Sequence, residues 1–495
     1  MASVLEQLDA LRSAAGERRT VGLSDDTVCS FCQHDSTLVD AVEAATAEYE
    51  ALSEEFPELV GMGEMEQIRS IQGSFVNFYS DDTVNPYVSL AARGPWVVTT
   101  KGAVVHDSGG YGMLGFGHVP EPVLKAMSRP QVMANVMTAN ASQLRLVRAL
   151  QKEIGQARAG GCPFSDFLAM NSGSEAVSVA TRILDINAKL QTDVGARYAG
   201  LPVKKLVLEG SFHGRTGRAA EFSHATRPTY EKHLATFRGS DDLLAVPIND
   251  TSALRLAFER ANSAGFFIEA MLIEPVMGEG NPGVAVTPEF YEVARELTAA
   301  HDTLLVVDSI QAGLRATGYL SIVDFPGFEE LAAPDMETYS KALNGGQFPL
   351  SVLAMTRRAS GLYRKGVYGN TMTANPRAMD VGAAVLGIVT PEVRANIVDR
   401  GHEFLEKLEA LAAELDGPIT AVQGTGLLFS CELDPKYKAY GKDSAEEYMR
   451  FNGIGVIHGG ENSLRFTPHF HVTSAEVDLI VAQLRDAMLN GPRAS

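Results

Sequence analysis

Leu304-Leu305-Val306-Val307-Asp308 is a short run, apolar at every position, that stops at an acid. A strand without polar alternation is covered on both faces, as in a mainly parallel sheet sandwiched by helices. Four more runs share this character: Phe167-Leu168-Ala169-Met170, Leu206-Val207-Leu208, Met271-Leu272-Ile273 and Val352-Leu353-Ala354-Met355. Helical periodicity separates them from about 120 to 376, which predicts an α/β domain. The expected large domain spans 96–376 and opens with a hairpin, Trp96-Val97-Val98-Thr99-Thr100 and Ala103-Val104-Val105-His106-Asp107, around Lys101-Gly102. Residues 1–95 read as an N-terminal extension and a segment packing on the small domain, with amphipathic helices at Asp40–Leu52 and Met62–Ile71. Residues 377–495 read as a smaller α+β domain: helix-rich to about 416, then short strands at Gly426–Ser430 and Ser463–Phe466 and a final helix from Ser474.

The composition excludes several classes of function. The 495 residues carry 42 lysines and arginines against 61 acids, a formal net charge of −19, so nucleic acid is not the expected partner. Four cysteines do not make a disulfide framework. Cys29-Ser30-Phe31-Cys32 is a CxxC without further nearby ligands beyond His34, so no metal is expected and the pair reads as small reduced residues of the extension. No apolar run approaches the length of a membrane span, and the acidic N-terminus lacks the pattern of a secretory signal. The expectation is a cytoplasmic enzyme with no membrane partner.

Five local patterns carry chemistry. Asn171-Ser172-Gly173-Ser174-Glu175-Ala176 follows a strand and opens a helix, where unpaired N–H groups and the helix dipole suit a phosphate. Ser172 and Ser174 can add hydroxyl bonds, although a plain serine cap is the ordinary explanation. Gly210-Ser211-Phe212-His213-Gly214-Arg215-Thr216 offers a ring for stacking and a guanidinium for a carboxylate. Ile273-Glu274-Pro275-Val276-Met277-Gly278-Glu279-Gly280 puts two acids in a turn after a strand, where acids are commonly just solvated. Asp308 is followed by Gln311, and Lys341 sits 33 residues beyond Asp308 in Tyr339-Ser340-Lys341-Ala342-Leu343-Asn344-Gly345-Gly346. Singly, Lys341 is a surface lysine and Asp308 a helix cap. Together, an amine and a carboxylate at the ends of buried strands are what holds pyridoxal phosphate: a Schiff base at the lysine and a partner for the pyridinium nitrogen. Gly110-Tyr111-Gly112-Met113-Leu114-Gly115 matches a dinucleotide-binding glycine pattern, but neither the prompt helix nor the later acid follows it.

With these patterns in order, the chain resembles the class III (ω-amino acid) aminotransferases, a branch of the fold-type I pyridoxal phosphate enzymes, from roughly Pro86 to Leu484. The resemblance implies that Lys341 is the cofactor-linked and proton-shuttling lysine, Asp308 the pyridinium partner, Gln311 the neighbour of the ring's phenolic oxygen, Gly173 and Ser174 the phosphate loop, and Phe212 the stacking ring with His213 beside it. It implies that Thr371, in Gly369-Asn370-Thr371-Met372-Thr373-Ala374-Asn375-Pro376, reaches the phosphate of a neighbouring subunit, hence a homodimer with shared active sites. Asp107 and Gly117-His118 match N-terminal landmarks. On the substrate side, Arg215 matches an arginine for a distal carboxylate and Arg465, in Leu464-Arg465-Phe466-Thr467-Pro468, one for the α-carboxylate of glutamate. Glu279 matches the acid that holds that arginine aside.

The implied reaction moves an amino group from an ω-amino acid or primary amine to 2-oxoglutarate by a ping-pong cycle. Decarboxylating transaminases, racemases and aminomutases share the scaffold and stand as the alternative. A non-catalytic protein on the same fold is disfavoured by the intact Lys341–Asp308 pair. The pattern also departs from the family: Ser309 stands where Glu is usual, Met277 where Gln is usual after Glu-Pro-Val, Gln423 where Arg is usual before Gly424, and Ala312–Gly318 diverges from the usual glycine- and arginine-containing stretch.

Overall fold

The computed structural model describes residues 3–494. In chain order the strands are β1 (Ser89–Arg93), β2 (Trp96–Thr99), β3 (Val104–Asp107), β4 (Asp166–Met170), β5 (Val203–Leu208), β6 (Leu243–Val246), β7 (Phe267–Ile273), β8 (Leu304–Asp308), β9 (Met336–Tyr339), β10 (Ser351–Met355), β11 (Ile419–Thr425), β12 (Leu428–Leu433), β13 (Ile454–Gly455), β14 (Ile457–Gly459) and β15 (Ser463–Phe466). Two compact units result. The first comprises Met1–Glu121, Asp399–Gln423 and Phe429–Ser495, and the second Pro122–Val398 with Gly424–Leu428.

The second unit is built on a seven-stranded sheet in the order β4-β10-β9-β8-β7-β5-β6. Strands β6, β5, β7, β8 and β9 run parallel, and β10 lies antiparallel to both β9 and β4. This is the mainly parallel, helix-covered sheet expected from the sequence. Every residue of β7 and β8 is buried, including the charged Glu269 of β7, which accepts from Arg218 Nη2 at 2.7 Å. The helix Gly173–Thr192 lies on one face. Its Ala176, Val179, Ala180, Ile183 and Leu184 recur at helical spacing and pack in one core with Leu304 and Val306 of β8, Ala270 and Leu272 of β7, and Met336 of β9. Each large aliphatic side chain removed from water contributes about 1.5–3 kcal/mol before chain entropy is subtracted.

In the first unit, β2 and β3 form the anticipated hairpin, with Trp96 opposite His106. β3 then pairs in parallel with β13, so the hairpin belongs with the C-terminal segment rather than with the large sheet. A second sheet runs β11-β12-β15-β14, and Phe429 of β12 stacks on Phe466 of β15 at 5.3 Å. Among the described residues five α-helices and a 3₁₀ turn precede β1, including Ser36–Glu55 and Glu64–Gln72, where amphipathic helices are expected from the sequence. Glu476 ties this unit internally, because one oxygen accepts from His106 Nε2 at 3.0 Å and His469 Nε2 at 2.7 Å. Among the described residues no single helix is long and apolar enough to cross a membrane.

The buried Asp335 fixes how β9 meets β8. It accepts from Arg295 Nη1 at 2.7 Å, Arg358 Nη1 at 3.3 Å and the Leu305 amide at 3.0 Å. Replacing it with Ala strands that amide and two guanidinium groups, with an expected cost of about 3–5 kcal/mol. Urea unfolding would measure it. The exposed pair partner Asp241, replaced in the same way, should shift stability by less than about 1 kcal/mol.

Candidate active site

β5, β7, β8 and β9 are parallel neighbours, so the loops leaving their carboxyl ends emerge along one sheet edge. Those loops begin at residues 209, 274, 309 and 340, and each carries one of the patterns singled out above. Close approaches bring the loops into contact. A Cβ on Gly278 would lie 2.5 Å from Gln311 Cγ, and one on Gly214 (φ +117°) would lie 2.6 Å from Ser174 Oγ. Neither position tolerates a side chain.

Asp308 closes β8 and is buried. Its Oδ2 lies 2.9 Å from His213 Nδ1, and its Oδ1 accepts from Thr338 Oγ1 at 3.0 Å and the Ile310 amide at 3.2 Å. With a carboxylate as acceptor, the His213 proton resides on Nδ1. Lys341 opens a short 3₁₀ turn after β9 with φ +45°, a region costly for a side-chain-bearing residue. The turn is pinned on both sides of the lysine by Ser340 Oγ and Asn344 Nδ2, both donating to the Leu350 carbonyl, at 2.7 and 3.0 Å. Lys341 Nζ donates to Gln311 Oε1. The structure thus assembles Asp308, His213, Gln311 and Lys341, which the sequence scatters over about 130 positions.

At the start of the Gly173–Thr192 helix, Ser172 is the N-cap and its hydroxyl accepts from the Glu175 amide at 3.3 Å. That leaves Gly173 and Ser174 in the first turn, where amides have no intrahelical acceptor. Glu175 ties the segment containing Thr371 to this helix start. Its Oε1 accepts from Tyr368 OH at 2.6 Å and Asn370 Nδ2 at 2.9 Å. Burial disfavours its charge, but the Tyr368, Asn171 and Asn370 donors outweigh that and hold its carboxyl below the usual value. Thr371 itself is exposed.

The substrate-side residues are divided between the two units. Phe212 is half-buried, and the exposed Arg215 lays its guanidinium 5.2 Å from the centre of that ring. Glu279 is half-buried in the turn after β7. Arg465 is buried on β15 of the first unit, opposite Ser430. Asp107, in the same unit, lies 3.2 Å from His118 Nε2, and its other oxygen accepts from the Gly109 and Gly110 amides.

Sequence reasoning passed over Thr338 and read Glu274 as a loop acid of the kind that is commonly just solvated, which the structure corrects. Glu274 is buried, and its two oxygens accept from the Phe212 and Gly278 amides, each at 2.9 Å, joining the loops after β5 and β7. Burial pushes its carboxyl up to about 7, against the opposing pull of His213. The one sequence signal is its position directly after the apolar run Met271-Leu272-Ile273. Two polar atoms in the cluster are buried without a partner, His213 Nε2 and Gln311 Nε2. An unpartnered donor at Gln311, an amine at Lys341, a carboxylate at Asp308 and a helix N-terminus at Gly173 together fit pyridoxal phosphate.

Comparison with known proteins gives a consistent result. The Aminotransferase class-III family matches residues 79–488. An acetylornithine aminotransferase of Xanthomonas axonopodis pv. citri is 31% identical over 319 residues, covering 64% of this chain and 72% of the relative. An acetylornithine/succinyldiaminopimelate aminotransferase of Yersinia pestis is 28% identical over 411 residues, covering 81% and 93%. Among solved structures, the ornithine aminotransferase of Toxoplasma gondii superposes with a TM-score of 0.73 at 22% identity, covering 89% of this chain and 97% of that one. The acetylornithine aminotransferase of Elizabethkingia anophelis does so with a TM-score of 0.67 at 25% identity, covering 86% and 99%.

Glu274 makes a prediction about pH. Its folded-state value stands above that of the unfolded chain, so the folded state binds the extra proton between about 4.5 and 7. The stability this contributes is full at acid pH and lost as pH rises through about 7, amounting to about 3 kcal/mol at most. Unfolding free energy measured from pH 5 to 8 should fall less steeply in Glu274→Gln than in the wild type. Parallel curves would show that the carboxyl is already ionised throughout.

Proposed function

The chain belongs to the class III aminotransferases, and from that premise we propose that it transfers the terminal amino group of an ω-amino acid or related primary amine to 2-oxoglutarate in a ping-pong cycle. Transaminase chemistry and pyridoxal phosphate come with the family. The observation that carries the reading is the Lys341–Gln311 contact beside the buried Asp308–His213 pair. When bound, the cofactor supplies an aldehyde that condenses with amines and a ring that takes up the electron pair released when a proton leaves the amine-bearing carbon.

The chain's own residues supply the rest. Asp308 is placed to hold a proton on a ring nitrogen, and His213 and Thr338 orient its carboxylate. Lys341 Nζ holds and returns the proton at the reacting carbon, and its contact with Gln311 aims it. Gln311 Nε2 is available to donate to an oxygen on the ring. Gly173 and Ser174 bind the phosphate through helix-start amides. We assign Thr371 to the phosphate of a second subunit, which makes the working enzyme a homodimer, and we place it in the cytoplasm.

Donor choice rests with Arg215, Glu279 and Arg465. An acylated ornithine suits this set, as the names of several relatives suggest. Its terminal amine reacts while a carboxylate at the far end meets a guanidinium. Glu279 neutralises Arg465 while the amine is bound, and a 2-oxo acid then displaces it.

A donor panel with 2-oxoglutarate as acceptor, reading glutamate, tests the proposal. N-acetylornithine and other ω-amines bearing a distal carboxylate should react fastest, and no glutamate from any donor would sink it. Lys341→Ala should lower turnover roughly 10²- to 10⁴-fold or more. Arg465→Ala should slow the glutamate half-reaction roughly a hundredfold while changing the amine half-reaction less than about tenfold. Equal losses would argue against the Glu279 switch.

A further inference from the structure

Glu337 lies in the middle of β9 and is fully buried. Side chains alternate along a strand, so Glu337 and Thr338 point to opposite faces of the sheet. Thr338 bonds Asp308 on the face that carries the Gly173–Thr192 helix. Glu337 points to the other face and gathers three donors. Its Oε1 accepts from Ser309 Oγ at 2.5 Å and the Ile322 amide at 3.0 Å, and its Oε2 accepts from Ser321 Oγ at 2.5 Å.

Ser309 is the residue directly after Asp308. Its amide donates to the Thr338 carbonyl at 3.0 Å, and its own carbonyl accepts from the Gly313 amide at 2.8 Å. The turn thus closed between Ser309 and Gly313 contains Gln311, whose side chain takes the bond from Lys341. Glu337 thus holds Ser309, and Ser309 closes the turn that carries Gln311 to that contact.

We propose that Glu337 is a positioning residue of the cofactor site: from the sheet face opposite Asp308 it grips Ser309 and so fixes the turn that presents Gln311 to Lys341. The inference rests on the pyridoxal phosphate reading of the site. Glu337 touches none of the reacting groups and acts only through Ser309.

The carboxyl's surroundings make this grip sensitive to protonation. Three donors favour the carboxylate, while burial disfavours it and pushes Glu337 up to about 7. The titratable groups facing it are Tyr339 on its own strand, Tyr291 on the helix Pro288–Ala300, and Cys162 before β4. Burial pushes all three upward, so they stay neutral near pH 7. As the carboxylate, Glu337 accepts the Ser309 hydroxyl. As the acid, it competes with its own proton for the same acceptor sites.

The test is cofactor release from the holoenzyme, followed by equilibrium dialysis at pH 6 and pH 8, with thermal unfolding to confirm that each variant is folded. Glu337→Gln should weaken pyridoxal phosphate binding roughly tenfold, the scale of one lost bond to a charged group, and should erase the difference between the two pH values. Ser309→Ala leaves the Ile322 and Ser321 bonds in place, and it serves even if the first variant misfolds. It should give the same loss, and the double variant should be no worse than either single one. Wild-type affinity at both pH values in folded Ser309→Ala would overturn the proposal, as would additive losses in the double variant. Lys341→Ala in the same assay separates the two levels. Unchanged release there overturns the site reading itself, whereas a large loss there with none in Ser309→Ala overturns only the role of Glu337.

Discussion

The buried carboxylate of Asp308 is the constraint around which the second unit is arranged. A charge at the end of a wholly apolar strand is costly to desolvate unless donors surround it. Here the donors come from three different segments: His213 from the loop after β5, Thr338 from β9, and the Ile310 amide from its own turn. Satisfying one carboxylate therefore fixes two neighbouring connections and the start of a third. The same register that delivers Thr338 carries the chain three residues further to Lys341, in a backbone conformation it would not choose alone.

Two further acids, Glu274 and Glu337, are buried close to the same strand end, and both are pushed up to about 7. The negative charge of Asp308 adds to the burial that raises Glu274. Neighbouring carboxyls in a low-dielectric setting divide their protons unequally, with the best-hydrogen-bonded member keeping the charge. Asp308 has an imidazole partner, whereas Glu274 has only backbone amides and Glu337 only hydroxyls and one amide. Glu274 and Glu337 are therefore two buried groups whose protonation changes near neutral pH.

Much of this was legible in the sequence where local pattern determines structure. β8, β10 and the Met271-Leu272-Ile273 part of β7 announce themselves as apolar runs, and Asp308 and Lys341 stand out because one ends a strand and the other follows one. β9 is less visible, because Glu337 interrupts the apolar run of Met336-Glu337-Thr338-Tyr339. β6 is hidden for a different reason: it is an edge strand, mostly half-buried, and carries a weaker apolar signal. The roles of Glu274 and Thr338 depend on register and burial, which one-dimensional spacing does not encode. Ser172 shows the opposite limit, since the structure displays the ordinary helix cap that the sequence suggests at that turn.

The departures from the family pattern acquire a physical sense in the same region. The resemblance implies a glutamate directly after the ring-binding aspartate, and this chain has Ser309 there. A serine at that point leaves the turn without a carboxylate of its own, yet a buried carboxylate still reaches it, from Glu337 on the adjacent strand. In this chain Ser309 is a donor to that carboxylate. The bond requires both residues on the sheet face away from Asp308, and the register Val307 to Glu337 and Asp308 to Thr338 puts them there. Without Glu337, the Ile322 amide and the Ser321 hydroxyl would lose their acceptor on β9. Ser309 and Glu337 therefore act as one bonded pair beside Asp308, Gln311 and Lys341.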